Sequence, residues 1–272
     1  MHTLKKSTML IFQKIVRFLR YQGRSHLYYY HYTTFDKIKL ILNNKTLRFT
    51  IGDSKTLNDW HEREKTKYTN TLHHSYISCF TTSGDESVAM WRLYSNGESN
   101  VVRIQIPQKE FIAWFNSIDK SKISPETKKT VPIKKKILSD ISYVRLLPNN
   151  NKTSRKQKIQ FTWQGFSCDR FFDNKSECEY KDFAGVLKNI AWAYEQECRA
   201  ILQFDESDTN ISPYVDVSIP KDLISSFKIL MGPEFQPQKY NELSELCRLH
   251  GIKIDSIEQS QVAGKVFFNS AN

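Results

Sequence analysis

The sequence lacks the motifs that mark several common functional classes. Its five cysteines form no CxxC pair and no Cys/His cluster, so their spacing gives no support to a structural zinc site. Its nine glycines build no phosphate-binding loop, and no internal repeat is present. No secretory leader is recognisable, and the odd number of cysteines therefore predicts free thiols in a reducing, cytoplasmic compartment.

Long hydrophobic runs are also missing. The apolar stretch at residues 9–21 is interrupted by Lys14, Arg17 and Arg20, which makes it too charged to span a bilayer. Its apolar residues recur at helical spacing, so we predict a basic amphipathic helix in a separate N-terminal segment, residues 1–26. Such a helix can dock on a membrane surface or a partner, and packing on the protein itself is an equally valid interpretation.

Acidic residues are absent from that N-terminal segment, which carries six basic residues. A second segment, residues 120–158, has twelve basic and two acidic residues, although the whole chain of 272 residues has a net charge of only +11. The basic charge is therefore concentrated in two places, which is typical of a surface that binds a polyanion. A solvated, flexible insertion would have the same composition.

The remaining chain, residues 27–272, reads as one domain that mixes short strands with short helices. Strands are predicted at 27–33, 46–51, 76–80, 101–106, from 197 onward, 214–219 and 227–231. Helices are predicted at 35–42, from an N-cap at Asp85 to a stop at Ser95-Asn96-Gly97, at 108–118, 186–194 and 238–250. Because strands and helices alternate without a regular βαβ rhythm, we predict an α+β fold with a basic insertion at about 120–160.

Three segments combine aromatic and ionisable side chains. Tyr28–Thr34 is an aromatic strand that carries His31, and Ser75–Ile106 is a strand–helix–strand unit rich in aromatic residues. The third segment, Tyr194–Leu202, opens an apolar strand with two carboxylates. For any single aromatic ring, packing in the core is the ordinary explanation.

The order of short motifs along the chain resembles the bacterial DUF2971 family, from Tyr28 to about Gly264. In sequence order these motifs are His31-Tyr32-Thr33-Thr34, Leu57-Asn58-Asp59, Ser78-Cys79-Phe80, Met90-Trp91-x-x-Tyr94, Glu195-x-Glu197-x-Arg199 and Met231-Gly232-Pro233.

That family is in turn similar to the ADP-ribosyltransferase superfamily. The similarity rests on His31 followed by small hydroxyl residues, on an aromatic pair, Phe80 and Trp91, separated by ten residues, and on the late Glu-x-Glu. In poly-ADP-ribose-polymerase-like enzymes the corresponding pair is two tyrosines, so stacking is kept here while the phenol hydroxyls are lost. The resemblance implies a split antiparallel β-sheet core and NAD as co-substrate, with no metal.

The resemblance also implies catalytic roles for two carboxylates. Cleavage of the nicotinamide–ribose bond builds positive charge on the ribose, and Glu197 would stabilise that charge. Glu195, two residues earlier on the same strand face, would orient or deprotonate an acceptor. The alternative is that Glu195, Glu197 and Arg199 form a surface ladder of charge pairs.

The remaining donor-site residues follow from the same resemblance. His31, backed by Thr33, would hydrogen-bond the adenosine-side ribose, and Arg199 would pair with Glu197 or meet a phosphate. The aromatic rings would stack on nicotinamide. The predicted NAD-binding set is His31, Tyr32, Thr33, Phe80, Thr81, Trp91, Tyr94 and Arg199.

The acceptor is predicted from charge. Phosphates bind Lys and Arg without sequence demands, so the basic segment favours a nucleic-acid or nucleotide acceptor. The predicted acceptor-binding residues are Asn58 and Asp59, in the polar loop 55–62, and Lys134, Lys135 and Lys136.

The resemblance further implies a bacterial toxin or antiviral-defence effector that has a partner protein or an antitoxin. Two alternatives remain open at this point. One is hydrolysis of NAD by water, and the other is a non-catalytic module that binds nucleic acid or a partner on the same fold.

Overall fold

The computed structural model describes residues 27–52, 75–122, 130–146, 156–163, 166–173, 185–204 and 212–262. The predicted N-terminal helix and the predicted acceptor residues Asn58 and Asp59 lie outside these ranges. Within them, no helix combines the length and the hydropathy needed to cross a bilayer.

The described residues form two sheets and several short helices. The strands of the main sheet are β1 (Tyr28–Thr34), β2 (Thr46–Ile51), β3 (Ser75–Thr81), β4 (Val101–Pro107), β5 (Lys120–Lys122), β6 (Thr130–Pro132), β7 (Lys135–Asp140), β12 (Glu197–Gln203), β13 (Tyr214–Ser218), β14 (Lys228–Met231) and β15 (Ile257–Gln259). The smaller sheet consists of β8 (Ser142–Leu146), β9 (Lys156–Trp163), β10 (Phe166–Asp173) and β11 (Leu187–Asn189). The helices are α1 (Phe35–Asn44), α2 (Val88–Ser95), α3 (Gln108–Ser117), α4 (Lys221–Ser225) and α5 (Tyr240–Leu249), with 3-10 turns at Ile190–Glu195, Pro237–Lys239 and Ile254–Ser256. This architecture agrees with the predicted α+β class.

Strand β3 lies at the centre of the main sheet, which is mostly antiparallel. One edge of β3 pairs with β12 along its whole length, from Ser75 opposite Gln203 to Thr81 opposite Glu197. The other edge is shared, because β2 pairs with its first half and β1 meets it only at Thr81. The sheet therefore splits at β3 into a β1–β4–β14–β15 branch and a β2–β13–β5–β6 branch.

The two faces of the main sheet have different chemistry. We call one the core face: it carries Tyr29, Phe80, Ile104 and Cys198, which belong to one large hydrophobic cluster. Apolar side chains of α1, α3 and α5 pack in the same cluster. Because side chains alternate along a strand, the residues between these positions point to the opposite face.

We call the opposite side the pocket face. Directly paired residues of antiparallel strands share a face, so the pairs Tyr30–Thr81, Thr81–Glu197 and Tyr32–Arg103 all lie on this side. Helix α2 covers part of it, and Met90 packs with Tyr32 there. The pocket face thus carries aromatic, hydroxyl and charged side chains, and α2 lies over its β1–β4 part.

One predicted helix N-cap and one predicted helix are wrong. The side chain of Ser87, not of Asp85, accepts the capping hydrogen bond of α2, from Met90 N at 3.4 Å. The helix predicted at 186–194 is instead β11 followed by a 3-10 turn. The segment has helical spacing, but its first part pairs with β8. Ala191 N donates to Asn189 Oδ1, and this bond caps the 3-10 turn that follows.

The glycine of the Met231-Gly232-Pro233 motif has a packing role. A Cβ on Gly232 would lie 2.9 Å from the carbonyl oxygen of Val101 and 3.3 Å from the ring of Trp91. Gly232 N donates to that same carbonyl oxygen at 2.8 Å. Only a residue without a side chain lets the end of β14 approach β4 and α2 this closely.

Candidate functional site

Four charged side chains meet in a buried cluster on the pocket face. Lys188 Nζ forms a salt bridge with Glu195 Oε2 and lies 3.0 Å from Glu197 Oε2. Arg199 donates from Nε to Glu197 Oε1 at 2.6 Å and from Nη2 to Oε2 at 3.1 Å. The four side chains are between 1% and 3% exposed. The alternative of a surface charge ladder is therefore wrong, and the predicted pairing of Arg199 with Glu197 is confirmed.

The backbone delivers the two carboxylates from different elements. Glu195 ends a 3-10 turn, Gln196 adopts a left-handed conformation with φ of 43°, and Glu197 opens β12. The sequence predicts Glu195 and Glu197 on one strand. That placement is wrong for Glu195, which precedes the strand. The bend is held by Thr82, whose N and Oγ1 both donate to Gln196 O, and by Tyr143, whose hydroxyl oxygen accepts from Glu197 N at 2.7 Å.

The cluster keeps Glu197 ionised. Burial alone would raise the pKa of Glu197, but the charge and hydrogen bonds of Arg199 and the charge of Lys188 lower it to about 2. Burial likewise opposes the charged form of Lys188, yet the charges of Glu197 and Glu195 raise its pKa overall. A carboxylate with such a pKa cannot be a general acid near neutral pH, but it can stabilise positive charge.

An open pocket of about 240 Å³, open solvent included, lies beside the cluster. Both Glu195 and Glu197 line it, whereas Lys188 and Arg199 are not among its lining residues. The pocket wall therefore presents carboxylates with their cationic partners behind them, an arrangement that suits an electropositive ligand group. The lining residues are Tyr30, Tyr32, Cys79, Phe80, Thr81, Met90, Tyr94, Glu195 and Glu197.

The structure brings four of the eight predicted NAD-binding residues to this pocket, Phe80 among them. Tyr32, Thr81 and Tyr94 line it together with both carboxylates. The Thr81 hydroxyl accepts from Ser83 N at 3.1 Å, which fixes the start of the loop between β3 and α2. Burial raises the pKa of Tyr94 well above its ordinary value, so its hydroxyl stays protonated.

His31 and Thr33 are not brought to this pocket. His31 is paired with Ile104 and Thr33 with Val102, both residues of the large hydrophobic cluster. The His31 ring lies 5.5 Å from the Phe80 ring, and its Nδ1 is 3.0 Å from Cys79 O. Burial lowers the pKa of His31 and favours the neutral ring. The contacts of His31 and Thr33 with NAD stay predictions, because neither residue lines this pocket.

The predicted stacking slot between Phe80 and Trp91 is not formed. The Phe80 ring packs on the core face, 4.9 Å from the ring of Phe111. Trp91 is 3% exposed on the pocket face, where it contacts the Tyr32 ring edge-to-face at 4.6 Å. Its indole N–H donates to Glu86 Oε2 at 3.1 Å. Two rings on opposite faces of a sheet cannot hold one ligand ring between them.

Sequence reasoning missed Lys188 and assigned no role to Tyr30. Lys188 falls in a segment whose spacing indicates a helix, and no local signal marks it as the partner of both carboxylates. Tyr30 could have been found, because it lies two residues before Tyr32 on a strand and therefore shares its face. Only the pairing of β1 with β3 shows which of the two faces carries the site.

Comparison with protein families adds one finding. Residues 90–200 match the family described as "Protein of unknown function (DUF2971)". The match supports the family predicted from the motifs. Within this DUF2971 region lie Lys188, both carboxylates and Arg199, whereas β1 lies outside it. Comparisons with curated proteins and with solved structures found no significant match.

The three predicted acceptor lysines of the DUF2971 region lie beside or within β7, next to β12 in the main sheet. Lys136 Nζ donates to the backbone oxygens of Asn116 and Ile118, where α3 ends. A cation is favourable there, because the carbonyl groups at a helix C-terminus are only partly satisfied. Lys136 thus has a structural role, whereas the neighbouring Lys135 is exposed.

We expect Lys136→Glu to lower the free energy of unfolding by about 1 kcal/mol, since it replaces an attractive charge at the end of α3 by a repulsive one. Lys135→Glu, with the same charge change, should leave stability within about 0.5 kcal/mol of wild type. Urea denaturation of both variants checks this. Equal stability of the two variants would contradict the capping role.

Lys135→Glu is the variant to assay for nucleic-acid binding over a salt series. Loss of one phosphate contact should reduce the slope of log affinity against log salt concentration by about one unit.

Proposed function

We propose that the pocket binds NAD and that the protein cleaves the nicotinamide–ribose bond to transfer ADP-ribose. The observation that carries this proposal is the ionised Glu197 on the pocket wall, with Lys188 and Arg199 behind it. Bond cleavage leaves positive charge on the ribose, and a fixed carboxylate stabilises that charge without having to reorganise.

The rings that would accompany this chemistry are tyrosines. Tyr32 and Tyr94 have ring centroids 6.4 Å apart and an angle of 26° between their planes, and both line the pocket with Tyr30. The face of an aromatic ring attracts cations, and the nicotinamide ring of NAD is one. In the proposal, these tyrosines stack on nicotinamide, the role that the sequence predicts for Phe80 and Trp91.

Glu195 is proposed to act on the acceptor. It lines the pocket and is held by Lys188, so its carboxylate can receive or direct a hydroxyl proton. Hydrolysis is the second candidate, because Glu195 is only 1% exposed and water reaches such a group more easily than a macromolecule does. A nucleic-acid acceptor, and a part in toxicity or antiviral defence, rest on the basic segment and the resemblance described above.

The test is to incubate the purified protein with NAD, first alone and then with DNA, RNA or cell lysate, and to measure nicotinamide release. Release with NAD alone indicates hydrolysis, and release only with a macromolecule indicates transfer. NADH is the matched control, because its uncharged dihydropyridine ring should not be released. If NAD is not consumed under any condition and does not raise the melting temperature, the proposal is wrong.

A further inference from the structure

Arg103 is a buried cation next to the pocket. It lies on β4, is 5% exposed, and its guanidinium carbon sits 4.6 Å from the ring centroid of Tyr30. Its Nη1 donates to Gly84 O at 3.1 Å and, at 3.4 Å, to Asp85 O and the Tyr32 hydroxyl. Within the described residues, no carboxylate forms an ion pair with it. Backbone dipoles and aromatic faces stabilise such a charge less well than a counter-ion does.

The side of Arg103 that is best suited to an anion has no hydrogen-bond acceptor among the described residues. In three other arginines, Nε and Nη2 together bind one carboxylate: Arg48 with Asp216, Arg199 with Glu197 and Arg248 with Glu245. The Nε of Arg103 is buried without a hydrogen-bond partner. The hydrogen bonds of its guanidinium to described residues all come from Nη1, so Nη2 has no acceptor among them. This pair of parallel N–H groups matches two oxygens of one oxyanion.

The two acidic side chains of the loop between β3 and α2, Asp85 and Glu86, form no ion pair with Arg103. The Glu86 carboxylate accepts from Trp91 Nε1, Ser260 Oγ and Gln261 N, which holds it to α2 and to the C-terminal segment. Asp85 is exposed and offers Arg103 only its backbone oxygen. Neither of these two carboxylates therefore serves as the partner of the Nε and Nη2 groups of Arg103.

We propose that the Nε and Nη2 groups of Arg103 bind a phosphate group of the ligand held in the pocket. Tyr30 and Tyr32 both line the pocket and both contact Arg103, so a ligand stacked on these rings can place a phosphate beside the guanidinium. Glu195 and Glu197 line the same pocket. The site therefore suits a ligand with an electropositive group at one end and a phosphate at the other. In naming a nucleotide as the source of the phosphate, this inference rests on the proposed function.

The test uses inorganic pyrophosphate and three proteins. Pyrophosphate should bind wild type and raise its melting temperature, whereas Arg103→Met should lose at least about tenfold in affinity, since the neutral side chain offers no N–H groups. Arg92→Met is the matched control: Arg92 is 72% exposed on α2 and pairs with Glu234, so binding should not change. Unchanged affinity in Arg103→Met, or no binding by wild type, would overturn the inference.

Stability without ligand supplies a second measurement. Because no carboxylate in the described part of the chain pairs with Arg103, Arg103→Met should unfold at the same or higher temperature than wild type in the absence of pyrophosphate. If this variant does not fold, Arg103→Lys replaces it; a lysine keeps the charge without the paired N–H groups and should also bind pyrophosphate more weakly. Wild-type affinity in Arg103→Lys would then reject the paired-donor geometry.

The outcomes separate this inference from the proposed function. Arg103-dependent pyrophosphate binding with no NAD consumption would reject the proposed function and keep the phosphate subsite. NAD consumption by Arg103→Met with an unchanged KM for NAD would keep the proposed function and reject the phosphate subsite. Under the inference, the KM for NAD should rise about tenfold in this variant, as the loss of one charge-assisted contact predicts.

Discussion

Replacing Glu197 by Gln is expected to reduce turnover strongly and, at the same time, to destabilise the protein. Loss of a preorganised charge opposite a developing charge reduces kcat by about 10²–10³-fold. The same substitution leaves the buried cations Lys188 and Arg199 with one carboxylate between them, which costs about 3–5 kcal/mol of stability. Nicotinamide release and urea denaturation measure the two effects.

A charge-balanced variant separates catalysis from stability. Lys188→Met combined with Glu197→Gln removes one charge of each sign and leaves Glu195 and Arg199 as a neutral set. We expect it to recover part of the lost stability, because the net charge of the cluster returns to zero even though Glu195 loses its salt bridge to Lys188, and to stay inactive. If activity returns together with stability, Glu197 acts only in folding and the catalytic assignment is wrong.

The pH dependence of stability provides an independent check on Glu197. Its pKa in the folded protein is about 2, below the ordinary value of 4.5, so the ionised form stabilises the fold above about pH 4.5. That contribution is lost as the pH falls from 4.5 towards 2. The stability difference between wild type and Glu197→Gln should therefore narrow over this interval. A constant difference would show that the charge of Glu197 does not contribute.

Replacing Trp91 by Ala is expected to cost about 3–5 kcal/mol of stability, as for other buried large-to-small changes. The ring is 3% exposed, packs with Tyr32, Met90 and Leu230, and donates its N–H to Glu86. The free energy of unfolding, measured with urea, checks this value. Leu93→Ala on the same helix is the control, because Leu93 is 39% exposed and its truncation should cost less than about 1 kcal/mol.

Binding of NAD to the Trp91→Ala variant distinguishes packing from ligand stacking. Under the packing interpretation, affinity measured at a temperature where the variant is folded should stay close to that of wild type. Trp91→Phe should be intermediate in stability, because it keeps an aromatic ring and loses the bond to Glu86. A stable Trp91→Ala protein that no longer binds NAD would restore the stacking role predicted from the sequence.

The sequence by itself predicted most of the local structure and a resemblance to one family. Alternating apolar residues predict β4 and β13, and helical spacing predicts α3 and α5, because these periods depend only on neighbouring residues. The motif order predicts the DUF2971 family, and the match over residues 90–200 supports it. The two carboxylates were found in the same way, from their spacing and the resemblance.

Only the tertiary structure decided which side chains share the pocket. Tyr30 and His31 are adjacent in an aromatic strand, and their sequence does not show which of them faces Glu197. The pairing of Tyr30 with Thr81, and of Thr81 with Glu197, settles it in favour of Tyr30. Lys188 reaches both carboxylates because β11 pairs with β8 and the chain then turns back into β12. Strand pairing is a long-range interaction, so the residues of any one segment cannot predict it.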